Sequence, residues 1–496
     1  MKLLCLVTSV VALPLLPSTS PVAPAGALDP ALAGQQEVLA CLAPHRYIHG
    51  NMLPNGRAIL SAGSGSNANA TDPNQWYSAT TVPGSCDYKT ITVPYDVFCS
   101  ITSNLPDGNV LSAGGNLAYE TPERYYTGEP SSAVFDWRTE TWGPVIRMPG
   151  EFAGRWYPTG TKLLDGDIYV VAGLDERAYH NRAAIRFDWV TSTWSARAYQ
   201  IRWPLYPKNF YLGGDSIFFS GGRLGGYAMT PRFVNIETGQ QKAVPGLRNI
   251  ANRDQGAALL LYPAQNKRIL VMGGGSEGSK TVTNMADVID LRSSHPAFVP
   301  AANMPVAASQ FVATNLPDGM VYAAGGTSRV SQTPVQWAGL YNPVTNAWKQ
   351  AAVPTVKRGY HTFALLNDEG DVVVYTTNNR GVAFDRRVEV YHPPYRFKTY
   401  RPVLAHAPTE MVKGQAATID VRSFRRIKSV VLDHPNAITH TTDVDQRMID
   451  VPFTKEGNAL HLQIPGDSGL ILPGWYRIWL VDTAGAVSKA VWTHIA

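Results

Sequence analysis

The chain has 496 residues, of which 45% are hydrophobic and only 16% charged, and it carries 43 Gly, 36 Pro, 12 Trp and 23 Tyr. That balance predicts an all-β protein with many turns, and the length is too great for one small core. A formal net charge of +5 without a basic run argues against a nucleic-acid partner.

The N-terminus reads as a secretory signal. Lys2 supplies the positive end, Leu3 to Leu16 is mostly apolar but too short to span a bilayer, and Ala25-Gly26-Ala27 or Ala31-Leu32-Ala33 offers a small-x-small cleavage site. No later run is long and apolar enough to cross a membrane. Residues 1–33 are therefore expected to be signal and leader, and the mature protein to be exported, extracellular and monomeric. Cys5 leaves with the signal. In an oxidising compartment two of Cys41, Cys86 and Cys99 are expected to pair, and a Cys41–Cys86 bridge would leave Cys99 as an odd thiol.

From there the chain repeats itself. Apolar runs end in small residues at Ala62-Gly63, Gly114-Gly115, Ala172-Gly173, Gly221-Gly222, Gly273-Gly274, Gly325-Gly326 and, degenerately, Thr376-Thr377. Hairpin turns precede most of them, at Asn55-Gly56, Asp107-Gly108, Asp165-Gly166, Gly214-Asp215, Asp318-Gly319 and Glu369-Gly370, where Gly provides the positive φ of a tight turn. The fifth repeat has Asn266-Lys267 instead. A Thr-x-x-Trp turn follows three times, at Thr139–Trp142, Thr191–Trp194 and Thr345–Trp348. A period of roughly 50 residues with a double Gly is the kelch pattern, and seven units predict a seven-bladed β-propeller over residues 34–392. After Tyr391-His392-Pro393-Pro394 the period stops. Alternating runs such as Ala417–Val421, Lys428–Leu432, Leu460–Ile464 and Trp475–Val481 predict an immunoglobulin-like β-sandwich over 393–496.

Reactive residues recur in one register. Cys99, Tyr157 and His361 each stand nine residues before the turn glycines Gly108, Gly166 and Gly370, with Tyr360 one earlier; Tyr47 and Gln310 hold the same place before Gly56 and Gly319. Equal register on the innermost strands predicts that Cys99, Tyr157 and the Tyr360–His361 pair converge at one end of the axis. Strand alternation would point Tyr360 and His361 to opposite faces. Phenolate and imidazole suit Cu(II), and a thiol beside such a phenol could be oxidised onto its ring, which would account for the odd cysteine.

At these residues the chain resembles the copper radical oxidases, the galactose oxidase and glyoxal oxidase family, and is closer to the glyoxal oxidase form. The likeness covers nearly the whole mature chain. It is carried by Phe98-Cys99 ahead of Leu105–Gly108, by Gly154-Arg155-Trp156-Tyr157-Pro158-Thr159, by Gly359-Tyr360-His361-Thr362, and by the sandwich segment Thr439-His440-Thr441-Thr442-Asp443-Val444-Asp445-Gln446-Arg447. The resemblance implies one copper per chain. Its ligands would be Tyr157, Tyr360, His361 and His440, with Tyr157 joined to Cys99 as a thioether radical cofactor and Tyr360 as proton acceptor; Cys41 would then pair with Cys86. It implies oxidation of a small aldehyde hydrate or a primary alcohol by O2, releasing hydrogen peroxide. The alternative is a copper-free propeller that binds a glycan or a protein. Departures from the family pattern are Gly173-Leu174-Asp175-Glu176 where galactose oxidase places a shielding Trp, which leaves Trp156 as the candidate shield; Ser100-Ile101-Thr102 where glyoxal oxidases have Gly-His; and Thr376-Thr377-Asn378 in the seventh repeat. The sugar-binding domain that precedes the propeller in galactose oxidase has no room here.

Overall fold

A computed structural model describes residues 28–67, 72–276, 281–330, 333–378, 384–423, 425–443, 445–467 and 469–496. The predicted signal from Lys2 to Ala27 lies outside the described residues. Pro30–Ala33 form a single helical turn, and the Ala33 carbonyl accepts hydrogen bonds from Tyr391 Oη (3.0 Å) and the Ala352 N–H (2.8 Å), so this turn is folded onto the body of the protein.

Among the described residues between Gln35 and His392, seven antiparallel sheets of at least four strands follow one another along the chain. Their innermost strands are His49–Met52, Ile101–Asn104, Trp156–Lys162, Asn209–Tyr211, Ala257–Leu260, Val312–Asn315 and Phe363–Leu366. The inner strands of the first four sheets contact one another in sequence, as do those of the fifth, sixth and seventh, and the last contacts the first. The fourth and fifth sheets join through a shared core of Phe218, Val244, Ala258, Leu260 and Ile269. These are the blades of a β-propeller. The ring is fastened by Gln35–Leu42, which pairs with Arg387–His392 as the outer strand of the final sheet, so one blade is built from both ends of the propeller segment. Pairing the two ends of the segment in one blade holds the ring closed, and propellers of this kind expose only short edges.

The repeat motifs explain how neighbouring blades are held. Every turn glycine named from the sequence has positive φ, between 72° at Gly214 and 89° at Gly108 and Gly166. In the fifth repeat Lys267 itself takes φ 44°, so the turn is kept at a conformational cost that glycine would avoid. The Thr-x-x-Trp tryptophans reach the preceding blade: Trp142 Nε1 donates to Ser78 Oγ (3.0 Å), Trp194 Nε1 to Ser132 Oγ (2.9 Å) and Trp348 Nε1 to the Ala302 carbonyl (2.9 Å). Each indole thus fills apolar space between sheets and satisfies its own donor.

The C-terminal region forms two stacked sheets. One contains Val403–His406, Ala416–Arg422, Ala459–Gln463 and Phe453–Glu456; the other contains Glu410–Met411, Val491–Ile495, Gly474–Asp482, Ile427–His434 and Arg447–Val451. Ala416–Arg422 alternates buried and exposed positions because only one of its faces is covered. Ile427–His434 is apolar on both faces: Val430 and Leu432 pack within the sandwich, whereas Val431 packs with Leu316, Leu366 and Trp479 under the propeller. From this sheet a hairpin, Ala437–Thr439 and Thr442–Asp443, leaves the sandwich and adds to the first propeller sheet. Thr439, Ile438 and Ala437 pair antiparallel with His49, Gly50 and Asn51. A disulfide joins Cys41 to Cys86, and Cys99 is free and buried.

Candidate metal centre at the propeller axis

The side chains that approach the axis share a backbone feature. Cys99, Tyr157, Tyr206, Gln310 and His361 are non-glycine residues with φ of 61°, 65°, 46°, 57° and 65°. A left-handed residue of this kind costs about 1–3 kcal/mol and persists only where its surroundings over-determine it. Here the surroundings are adjacent blades: the Tyr157 N–H donates to the Cys99 carbonyl (3.0 Å), and the Tyr206 N–H donates to the Tyr157 carbonyl (3.0 Å). A left-handed residue in or shortly before the first residues of these inner strands swings the side chain toward the axis.

This geometry overturns the strand reading of Tyr360 and His361. The strand begins at Phe363, and the left-handed His361 brings both rings to the same side, stacked with centroids 3.7 Å apart. Thr377, in the degenerate seventh double-Gly position, holds them there: its Oγ1 accepts the Gly359 N–H (3.0 Å) and donates to the Tyr360 carbonyl (3.2 Å). Tyr47 shares the sequence register but has no left-handed turn. It is wholly buried in the core between the first and last blades and does not reach the site.

Cys99, Tyr157, Tyr360 and His361 are brought together, and the sandwich hairpin adds His440 from the far side. Its Nε2 lies 3.0 Å from Tyr157 Oη, and the hydroxyls of Tyr157 and Tyr360 touch. Ligand atoms of Cys99, His361 and His440 all lie within 4.8 Å of one another. Cys99 Sγ is 4.0 Å from His361 Nε2 and within hydrogen-bonding reach of Tyr157. Thr439 Oγ1, which donates to the Ile48 carbonyl (3.2 Å), stands 2.7 Å from His440 Nδ1. It therefore accepts the Nδ1 proton and leaves Nε2 as the bare nitrogen facing Tyr157.

Burial dominates the electrostatics. It pushes the Tyr157 phenol far above its ordinary pKa, with Cys99, Tyr360 and Tyr206 adding to the effect. It holds both imidazoles neutral: His361 lies well below the usual range through desolvation, then His440 and Arg46, and His440 likewise through desolvation, then His49 and Arg46. His361 Nδ1 is buried without a hydrogen-bond partner. Two phenols and two neutral imidazoles converging at one point form an N/O donor set suited to a divalent copper ion, whose charge would favour the phenolate that burial alone disfavours.

Tyr157 is enclosed on both faces. Trp156, the candidate shield, stacks on one side at 3.8 Å and 9°. Tyr206 stacks on the other at 4.3 Å and 28°, with its hydroxyl donated to the Ser100 carbonyl (2.9 Å). Tyr206 was not singled out from the sequence, although it stands nine residues before Asp215 of the fourth hairpin, the register of Cys99 and Tyr157. The site opens into two adjoining cavities of about 440 and 470 Å³ that share Tyr125, Tyr157 and Gln255, with Tyr360 lining the second.

A propeller whose axial site is completed by a sandwich hairpin has the galactose oxidase-like architecture. Residues 401–495 match the family model described as the galactose oxidase-like early set domain. The chain is 25% identical over 463 residues to a galactose oxidase of Gibberella zeae, covering 86% of this chain and 64% of that protein. It is 24% identical over 443 residues to the aldehyde oxidase GLOX of Vitis pseudoreticulata, covering 81% and 82%. A solved fungal alcohol oxidase of the AA5 family, in complex with copper, superposes with a TM-score of 0.80 at 20% identity, over 94% of this chain and 100% of that one. The chain thus spans less than two thirds of the length of the galactose oxidase it matches. Over most of its length it is similar to galactose oxidase and to aldehyde oxidases of the GLOX type.

Proposed function

We propose that the protein is a secreted, mononuclear copper radical oxidase that converts a primary alcohol or a small aldehyde hydrate to its two-electron oxidised product, passing both electrons to O2 to give hydrogen peroxide. The observation that carries this reading is the convergence of Tyr157, Tyr360, His361 and His440 around one point, with the only free cysteine among the described residues beside Tyr157.

Tyr157, Tyr360, His361 and His440 would hold the metal. Bound there, copper supplies a Lewis acid for the substrate oxygen and one of the two oxidising equivalents. The chain supplies the rest. Cys99 sulfur is within hydrogen-bonding reach of Tyr157; a thioether at the ring carbon beside the hydroxyl would feed electron density into the ring and make it the second oxidising equivalent. Tyr360, which lines the second cavity, takes the hydroxyl proton from substrate. Trp156 and Tyr206 cover both faces of Tyr157 and keep water from the oxidised ring. The Cys41–Cys86 disulfide supports an extracellular setting.

The test is metal analysis and spectroscopy on one sample. About one copper per chain, intense visible and near-infrared absorption after oxidation, and peroxide release with primary alcohols or small aldehydes are expected. Copper content near zero after loading would leave the propeller as a glycan- or protein-binding module.

A further inference from the structure

The shield on Tyr157 is the first member of a longer stack. Trp156 lies on Tyr157 at 3.8 Å and 9°; Tyr126 lies on the far face of Trp156 at 4.5 Å and 10°; Tyr125 meets Tyr126 edge-on at 5.5 Å and Trp156 at 5.9 Å. Tyr157 and Trp156 are both buried, at 5% and 4% exposure, and exposure then rises through a half-buried Tyr126 to 38% at Tyr125. Each ring is a phenol or an indole, the two aromatic side chains that give up an electron most readily. Packing alone would be served as well by Phe or Leu, and Phe98 fills that role on the cysteine side.

We infer that Trp156, Tyr126 and Tyr125 form an electron relay between Tyr157 and solvent, through which an outer-sphere one-electron oxidant sets the enzyme into its active state. The inference rests on the oxidase reading above, because an oxidised Tyr157 must be generated by removing one electron from a ring that solvent barely reaches. With hexacyanoferrate(III) as oxidant, Tyr125 loses one electron and hexacyanoferrate(II) leaves. Tyr125 is refilled from Tyr126, Tyr126 from Trp156 and Trp156 from Tyr157. The net change is one electron lost from Tyr157 and one gained by the iron complex, and any proton Tyr157 still holds passes to water in the cavity it lines. The short, near-parallel inner steps lie where the protein is driest, and the one edge-on step lies at the surface.

The test mixes copper-loaded protein with hexacyanoferrate(III) and follows the growth of the near-infrared absorption by stopped flow. In the double variant Tyr125→Phe/Tyr126→Phe the rings remain but the phenols do not. It is expected to carry the same copper and reach the same final absorption at least tenfold more slowly. A cavity-wall role alone would alter KM for substrate and leave this rate untouched. An unchanged rate at equal copper content overturns the relay and spares the oxidase reading. A fully loaded parent protein that develops no such absorption overturns both. Should the double variant fail to load copper, Tyr125→Phe alone decides, and an unchanged rate there overturns the relay's outlet.

Discussion

His49 and Thr439 stand opposite each other in an antiparallel pair, the first on the innermost strand of the first blade and the second on a hairpin that belongs to the sandwich. This pairing carries the next residue, His440, to the propeller axis. The hairpin is anchored on its other side by Gln446, whose Oε1 accepts the Asn315 N–H (3.1 Å) and whose Nε2 donates to the Asn315 carbonyl (3.3 Å). Asp445 adds a hydrogen bond from the Asn104 N–H (3.0 Å).

His440→Ala is accordingly expected to lower copper affinity by more than about tenfold, although it lies outside the propeller blades. Gln446→Leu leaves the buried Asn315 amide without its acceptor, so it should destabilise by about 1–3 kcal/mol and weaken copper binding without removing a ligand. Metal analysis after dialysis and thermal melts measure both. Full occupancy in His440→Ala would remove the hairpin from the site.

Cys99→Ser is expected to fold, since the change is small, and to bind copper, since the four proposed ligands remain. It should lose the near-infrared absorption and most turnover. The oxidised parent should weigh about two hydrogen masses less than the disulfide-corrected sequence, as expected when a thiol is oxidised onto a ring; the variant should show no such deficit. Wild-type peroxide production in Cys99→Ser would end the radical mechanism.

The Cys41–Cys86 disulfide spans 45 residues and ties the closing strand Gln35–Leu42 to the end of the first blade's sheet. Chain entropy assigns a loop of this length about 4 kcal/mol. The Cys41→Ser/Cys86→Ser double variant should melt several degrees lower while its near-infrared spectrum stays in place.

The closing strand also carries a pH-sensitive contact. His392 bonds Asp371 through Nδ1 (3.0 Å) and Glu37 through Nε2 (3.1 Å), and Asp371 is shared with Arg396 (2.9 Å). Asp371 and Glu37 raise the His392 pKa above its ordinary value. Its contribution to stability is therefore complete below the unfolded-state pKa of about 6.5 and is lost as pH rises through the higher folded-state value. His392→Gln should flatten the decline in melting temperature over that range; an identical pH profile would show that the ring closure does not depend on this proton.

The repeat period, the turn glycines and the alternation after residue 395 announce an all-β chain with kelch blades and a sandwich, because hairpin turns and two-faced strands are local and leave their mark on adjacent residues. The common register of Cys99, Tyr157 and His361 could likewise be counted, since identical units repeat the same height on the axis. The left-handed turns could not be read, because Cys99, Tyr157 and His361 carry no glycine to betray them, and so the stacking of Tyr360 on His361 contradicted strand alternation. Tyr206 on the second face of Tyr157, the Thr377 clamp in place of a double glycine, and the stack through Tyr126 to Tyr125 depend on blades that meet only when the ring closes. Whether His440 reaches the site at all is decided by an edge pairing between residues 49–51 and 437–439, a contact across nearly the whole chain for which no local pattern exists.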